Sequence, residues 1–147
     1  MKAIIVCESE SHGNTLRVAN AMAEVLKAPV VGADDFDVEK VEDYDLIGLG
    51  SGIYGGKHHK KLIALAESLP KSEKSVFIFS TSGKGDINQH KQLSIIVSNK
   101  GYRNAGEFIC KGWDTDGLLK YIGGINKGLP NDAMVAQARD FAKTLRV

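Results

Sequence analysis

Ala3-Ile4-Ile5-Val6-Cys7, followed at once by Glu8-Ser9-Glu10-Ser11-His12-Gly13-Asn14-Thr15, decides the architecture of this chain. The first five residues show no polar alternation, so they read as a strand covered on both faces, as in a parallel sheet. The polar segment after them runs straight into Thr15–Lys27, where Val18, Met22 and Val25 recur at helical spacing before Pro29 ends the run. A buried strand that feeds a helix through a short polar loop is the first half of a βαβ unit. The hydroxyls of Ser9, Ser11 and Thr15, the Asn14 amide and the N–H groups of a helix start together form an anion site. The loop carries no Lys or Arg, so its donors are neutral.

The same alternation continues outward from this unit. Val30–Ala33, Leu46–Gly50, Ser75–Ser80 and Ala105–Cys110 read as four further strands. Helices are predicted over His59–Leu69, Asn88–Lys100 and from Pro130-Asn131 through Arg146, while acidic Asp34–Asp45 holds only a short helix or turn. Five strands alternating with helices predict an α/β fold, a doubly wound parallel sheet with helices on both faces. The glycine-rich stretch Lys111–Leu129 interrupts the pattern, and connections of that length are often functional.

One domain accounts for 147 residues, and a domain of that size needs no disulfide or metal staple. Lys+Arg 19 against Asp+Glu 18 leaves a formal charge of +1, which argues against nucleic acid or an anionic membrane surface as the partner. Cys7 and Cys110 stand alone at the ends of buried strands, a pattern that suits core packing in a reducing compartment. With neither a signal peptide nor a transmembrane-length apolar run, the expected location is cytoplasmic, with no membrane span.

Ligands of open parallel sheets bind beyond the carboxyl ends of the strands, so the segments following them carry the functional reading. After the third strand comes Gly50-Ser51-Gly52-Ile53-Tyr54-Gly55-Gly56, an aromatic residue among glycines that let a planar ligand approach the backbone. After the fourth comes Ser80-Thr81-Ser82-Gly83-Lys84-Gly85, again small and hydroxylated. An anion cradle flanked by two such walls suits a planar ring system that carries one phosphate. Lys57-His58-His59-Lys60-Lys61 reads as a solvated cationic face.

In these segments the chain resembles the flavodoxin family. The residues that carry the resemblance are Ser9-x-Ser11-x-Gly13-Asn14-Thr15, Ser51-Gly52-Ile53-Tyr54-Gly55-Gly56 and Val76–Phe79 with Ser80-Thr81-Ser82-Gly83. Cys110–Thr115 with Gly123–Gly128 looks like the ending of short single-domain members. The resemblance implies strand order 2-1-3-4-5 and an FMN cofactor at the switch between strands one and three. It implies that the phosphate sits on Ser9, Ser11, His12, Gly13, Asn14 and Thr15. The ring would then lie among Ser51, Gly52, Ile53, Tyr54, Gly55, Gly56, Thr81, Ser82 and Gly83, with Trp113 covering its outer face or packing the long glycine-rich segment. Tyr54 either stacks on the ring or plugs its loop against the third helix, and if it stacks, Gly55 is the natural place for a redox-linked peptide flip.

Three other classes share the outline and are excluded by single positions. A low-molecular-weight tyrosine phosphatase needs Arg six residues after its Cys, where Gly13 stands here. A receiver domain needs an Asp at the end of strand three, occupied here by Gly50-Ser51. A P-loop needs a lysine that Gly13-Asn14-Thr15 lacks. Three functions stay open. The first is a low-potential one-electron carrier serving transient redox-protein donors and acceptors. The others are a small FMN oxidoreductase of quinone or porphyrinogen type, and a cofactor-free interaction module.

Overall fold

A computed structural model describes residues 1–10, 13–112 and 128–147. The strands are β1 (Ala3–Glu8), β2 (Val30–Val31), β3 (Leu46–Tyr54), β4 (Lys57–His58), β5 (Ser75–Ser82) and β6 (Arg103–Lys111). The α-helices are α1 (Asn14–Leu26), α2 (Lys60–Ser68), α3 (Lys91–Asn99) and α4 (Asp132–Thr144). Parallel pairing runs β2-β1-β3-β5-β6, which is the expected doubly wound order. Strand β4 is an addition: it folds back on the end of β3 in antiparallel register, Ile53 opposite His58 and Tyr54 opposite Lys57.

Side chains alternate across the sheet, so each strand feeds two cores. Ile5, Cys7, Phe77 and Phe79 face Val18 and Met22 of α1 and Ala138 of α4. Ile4, Val6, Ile47, Leu49, Val76 and Ile78 face Leu62 of α2 and Leu93 and Val97 of α3. Segment Asp34–Asp45 forms two short 3-10 turns, Ala33–Asp35 and Val38–Asp43, the second capped by the Asp37 side chain.

The central strands outrun their predicted ends. β3 continues four residues past Gly50 and β5 two past Ser80. The reason is local packing: a Cβ on Gly48 would lie 2.3 Å from Phe77 Cζ, and one on Gly50 2.2 Å from Phe79 Cζ. Those glycines are the space into which the two phenylalanine rings fit, and the ladder passes through them unbroken. β2 is shorter than expected because Ala33 already starts the first 3-10 turn.

Candidate functional site

Register brings the three predicted segments to one edge of the sheet. Glu8 pairs with Ser51, Gly52 with Thr81, and Ser82 with Lys111. Gly13 is the N-cap of α1 in the left-handed conformation, φ +66°, and offers no side chain of its own to the helix start. No acidic residue occupies the first turn. Ser9 Oγ accepts the Leu16 N–H at 3.4 Å, which folds the loop over the helix start. Thr15, buried, shares a 2.7 Å hydrogen bond with the buried Thr81 hydroxyl and so ties α1 to the end of β5. Gly112 backs Asn14 so closely that a Cβ there would lie 2.6 Å from Asn14 Nδ2. The Arg17 guanidinium is engaged by the Pro130 carbonyl and, at 2.7 Å, by Asp132.

The walls are less loop-like than their sequence. Ser51, Gly52, Ile53 and Tyr54 belong to β3, and Gly55 and Gly56, at φ +60° and +81°, make the turn into β4. A Cβ on either of those two glycines would touch nothing, so the turn tip is open. The Tyr54 hydroxyl lies over Gly52, whose added Cβ would come within 2.8 Å of it. The Tyr54 ring also meets His59 edge-on at 5.4 Å. Ser51 Oγ is turned inward, donating to the Gly52 carbonyl at 2.6 Å and accepting the His59 N–H at 2.9 Å. Ser82 Oγ accepts the Gly85 N–H at 2.8 Å and donates to Gln89 Oε1 at 3.0 Å, which closes the second wall around the buried Gly83. Ser11, His12 and Trp113 lie outside the described residues.

The cationic run is where the sequence reading fails. Lys57, Lys60 and Lys61 are exposed, but His58 and His59 are buried. The Gly55-Gly56 turn reverses the chain, and the period-two alternation of β4 then puts Lys57 outside and His58 inside. His59 caps α2, its Nδ1 accepting the Lys61 N–H at 3.0 Å, while Nε2 donates to Glu10 Oε1 at 2.9 Å. That hydrogen bond, helped by the cationic Lys60 and Lys61 nearby, holds the Glu10 carboxyl below its ordinary range. The Gly55-Gly56 pair is the one local sign of a reversal here, because Lys57-His58 carries no strand signal of its own.

His58 belongs to a buried polar cluster. Its Nε2 donates to the Phe79 carbonyl at 3.0 Å, and its ring lies 4.9 Å from that of His90. Burial, and secondly the neighbouring His90, push the His58 pKa down to about 4, so the ring is neutral near pH 7. His90 Nδ1 donates to Glu107 Oε1 at 2.9 Å, and its Nε2 meets Ser80 Oγ at 2.6 Å. Burial lowers the His90 pKa against the pull of Glu107. Ser80-His90-Glu107 has the hydrogen-bond order of a nucleophilic triad, but Ser80 and His90 are each 1% exposed. No substrate reaches that hydroxyl, and the three residues fasten β5, the turn that leads into α3, and β6 together. The cysteines are equally inert, with burial raising Cys7 to about 12 and Cys110 to about 11. Among the described residues no helix is long and apolar enough to cross a membrane.

The donor set of this edge fits a phosphate-bearing planar cofactor: a helix start with glycine at its N-cap, hydroxyls beside it, and an open glycine turn next to a tyrosine. Comparisons with known proteins agree in fold. A family model described as a flavodoxin domain matches residues 4–107. An uncharacterized protein of Methanocaldococcus jannaschii is 42% identical over 147 residues, spanning 99% of this chain and 98% of its own. Among solved structures, oxidised flavodoxin 2 from Bacillus cereus superposes with a TM-score of 0.72 at 17% identity, covering 98% of this chain and 97% of that one. A flavodoxin, WrbA-like protein from Agrobacterium tumefaciens gives 0.68 at 19% identity, covering 99% and 95%. At such identities the two structures speak for the fold alone, whereas the family model covers more than half of the sequence. This chain belongs to the flavodoxin family.

Proposed function

We propose that the protein binds FMN at the edge formed by the ends of β1, β3 and β5 and passes single electrons between larger redox proteins. The observation that carries this reading is the start of α1: left-handed Gly13 at the N-cap, with Ser9 and Thr15 beside it. Backbone N–H groups of residues 13–15 and the nearby hydroxyls hold the phosphate, and the helix dipole adds to them. Gly55, Gly56 and the peptides of residues 81–83 approach the polar edge of the ring, with Tyr54 as the aromatic wall. When bound, FMN supplies the one-electron chemistry, and the chain binds, orients and tunes it. Glu8 and Glu10 flank the loop, and Arg17 is engaged elsewhere. Negative charge so placed disfavours further negative charge on the cofactor and lowers its potential. The short connections after β1, β3 and β5 leave little material for a substrate pocket over the ring, which favours a carrier with transient protein partners.

The test is an absorbance spectrum during stepwise anaerobic reduction, paired with an FMN titration of the Asn14→Ala, Thr15→Ala double variant. A long-wavelength band that rises and falls midway supports the carrier, and the double variant should bind FMN at least about tenfold more weakly, the worth of one or two hydrogen bonds. Bleaching in one step, with rapid turnover of a nicotinamide donor and a quinone, would instead make the protein an oxidoreductase. A colourless protein that ignores added FMN would leave a cofactor-free module.

A further inference from the structure

The near-neutral charge of the chain averages two opposed regions. Residues 32–45 hold seven carboxylates and one lysine, whereas residues 57–100 hold eight lysines, no arginine and three carboxylates. Lys61, Lys74 and Lys84 of the second region are answered by Asp34, Glu42 and Asp86. Lys57, Lys60 and Lys91 are exposed and form no ion pair among the described residues.

These three lysines border one groove. A depression of about 530 Å³ lies against β4 and α2, and another of about 530 Å³ against β4 and α3. The two share Lys57, Glu67 and Gln92 and are therefore continuous, with Lys60 on the first and Lys91 on the second. Of the two carboxylates on the groove, Glu10 is bonded to His59 at 2.9 Å, which leaves Glu67 against three cations. Between the lysines the lining turns apolar: Ile63 and Ile96 are half-buried, and Ile95 is 48% exposed. Ile87, also exposed, precedes Asn88 of the same lining. An apolar centre with a charged rim is the anatomy of a protein interface. Nucleic acid is read with arginine and stacked aromatic rings, and this region has no arginine. Tyr54 and Gly56 line one end of the groove, so a partner seated there touches the hairpin proposed as a wall of the flavin edge.

We propose that this groove is the docking surface for a redox protein that presents carboxylates around an apolar patch. That the partner is a redox protein rests on the carrier reading above; the charge of its docking face rests on the groove alone. The test uses cytochrome b5, an acidic haem protein, and cytochrome c, a basic one, each titrated in the oxidised state into the full ¹⁵N-labelled oxidised chain, so that no electron moves. Cytochrome b5 should shift amide resonances of β4, α2 and α3 and bind more weakly as salt is raised, whereas cytochrome c should leave those amides in place. Lys60→Glu with Lys91→Glu should weaken cytochrome b5 binding at least about tenfold with flavin content unchanged, and an acid in the first turn of each helix suits its dipole. Ile95→Ser should weaken binding several-fold without altering its salt dependence.

Shifts that map elsewhere, equal binding of the two cytochromes, indifference to the charge reversal, or tighter binding of a single-stranded DNA 20-mer would each overturn the proposal. A colourless chain that still takes cytochrome b5 in this groove would remove the cofactor reading and keep the surface. A flavin-loaded chain that ignores cytochrome b5 would do the reverse.

Discussion

Gly48 and Gly50 look like the glycines of a binding loop, yet each is the negative image of an aromatic ring. The Phe79 ring occupies the space a side chain at position 50 would need. Gly50→Ala should therefore destabilise the fold by about 1–3 kcal/mol through overpacking, lowering the denaturation midpoint without changing the slope. Phe79→Leu introduced beside it should recover part of the loss, because the two changes act on one volume. Additive losses would mean that the ring is not the obstacle. Gly55 is a contrasting case: no atom stands near a Cβ there, so alanine meets only the strain of a left-handed backbone. At this scale the sequence was legible where offsets matter and opaque where burial matters. Hydroxyls, glycine and a helix start at set distances after β1 can be read directly. His58 and His59 sit among lysines, and nothing in their identity says that two consecutive residues turn inward. That outcome depends on a two-glycine reversal and the pleat of β4 for His58, and on the start of α2, which His59 caps.

At the level of elements, the joint that organises the proposed cofactor edge is the hydroxyl pair of Thr15 and Thr81, which couples the first turn of α1 to the last turn-out of β5. Both residues are buried, so removing one oxygen strands the other. Thr15→Val and Thr81→Val should each cost about 1–3 kcal/mol, and the double variant should cost much less than their sum. Independent, additive losses in a denaturation cycle would show that the pair carries no coupling. Strands and helices were readable because apolar β-branched runs and helical spacing are local signals. The ends of β3 and β5 were not, since glycine and serine mark turns unless a partner strand and an aromatic ring from across the sheet hold them extended. The hairpin strand β4 escaped for the same reason: two residues carry no periodicity.

For the molecule as a whole, the buried histidines couple folding to acidity. An unfolded chain takes up a proton at His58 near its ordinary pKa of 6.5, whereas the folded chain resists until about 4. Between those values the unfolded state binds more protons, so stability is complete above about pH 6.5 and falls as the pH drops toward 4. His58 alone contributes a loss of roughly 3 kcal/mol across that window, at 1.36 kcal/mol for each pH unit between the two pKa values. His90, shifted in the same direction, adds to it. Glu10, whose pKa is lowered, acts only further into acid and does not mask the effect. Urea midpoints measured from pH 7 to pH 4.5 should fall steadily, and a flat profile would contradict the buried, neutral assignment of these rings.

The hairpin of β3 and β4 also limits how this protein can diverge. Where a cofactor wall is a free loop, residues can be added or lost and the walls re-form around the guest. Here the wall proposed for the cofactor is a hydrogen-bonded ribbon with a two-glycine tip, Ile53 facing His58 and Tyr54 facing Lys57. A single inserted residue that slips this pairing by one position would exchange inside for outside, putting a lysine in the interior and a histidine in water. Transplanting a longer wall from a distant relative therefore requires changing the α2 and α3 surfaces beneath it in the same step.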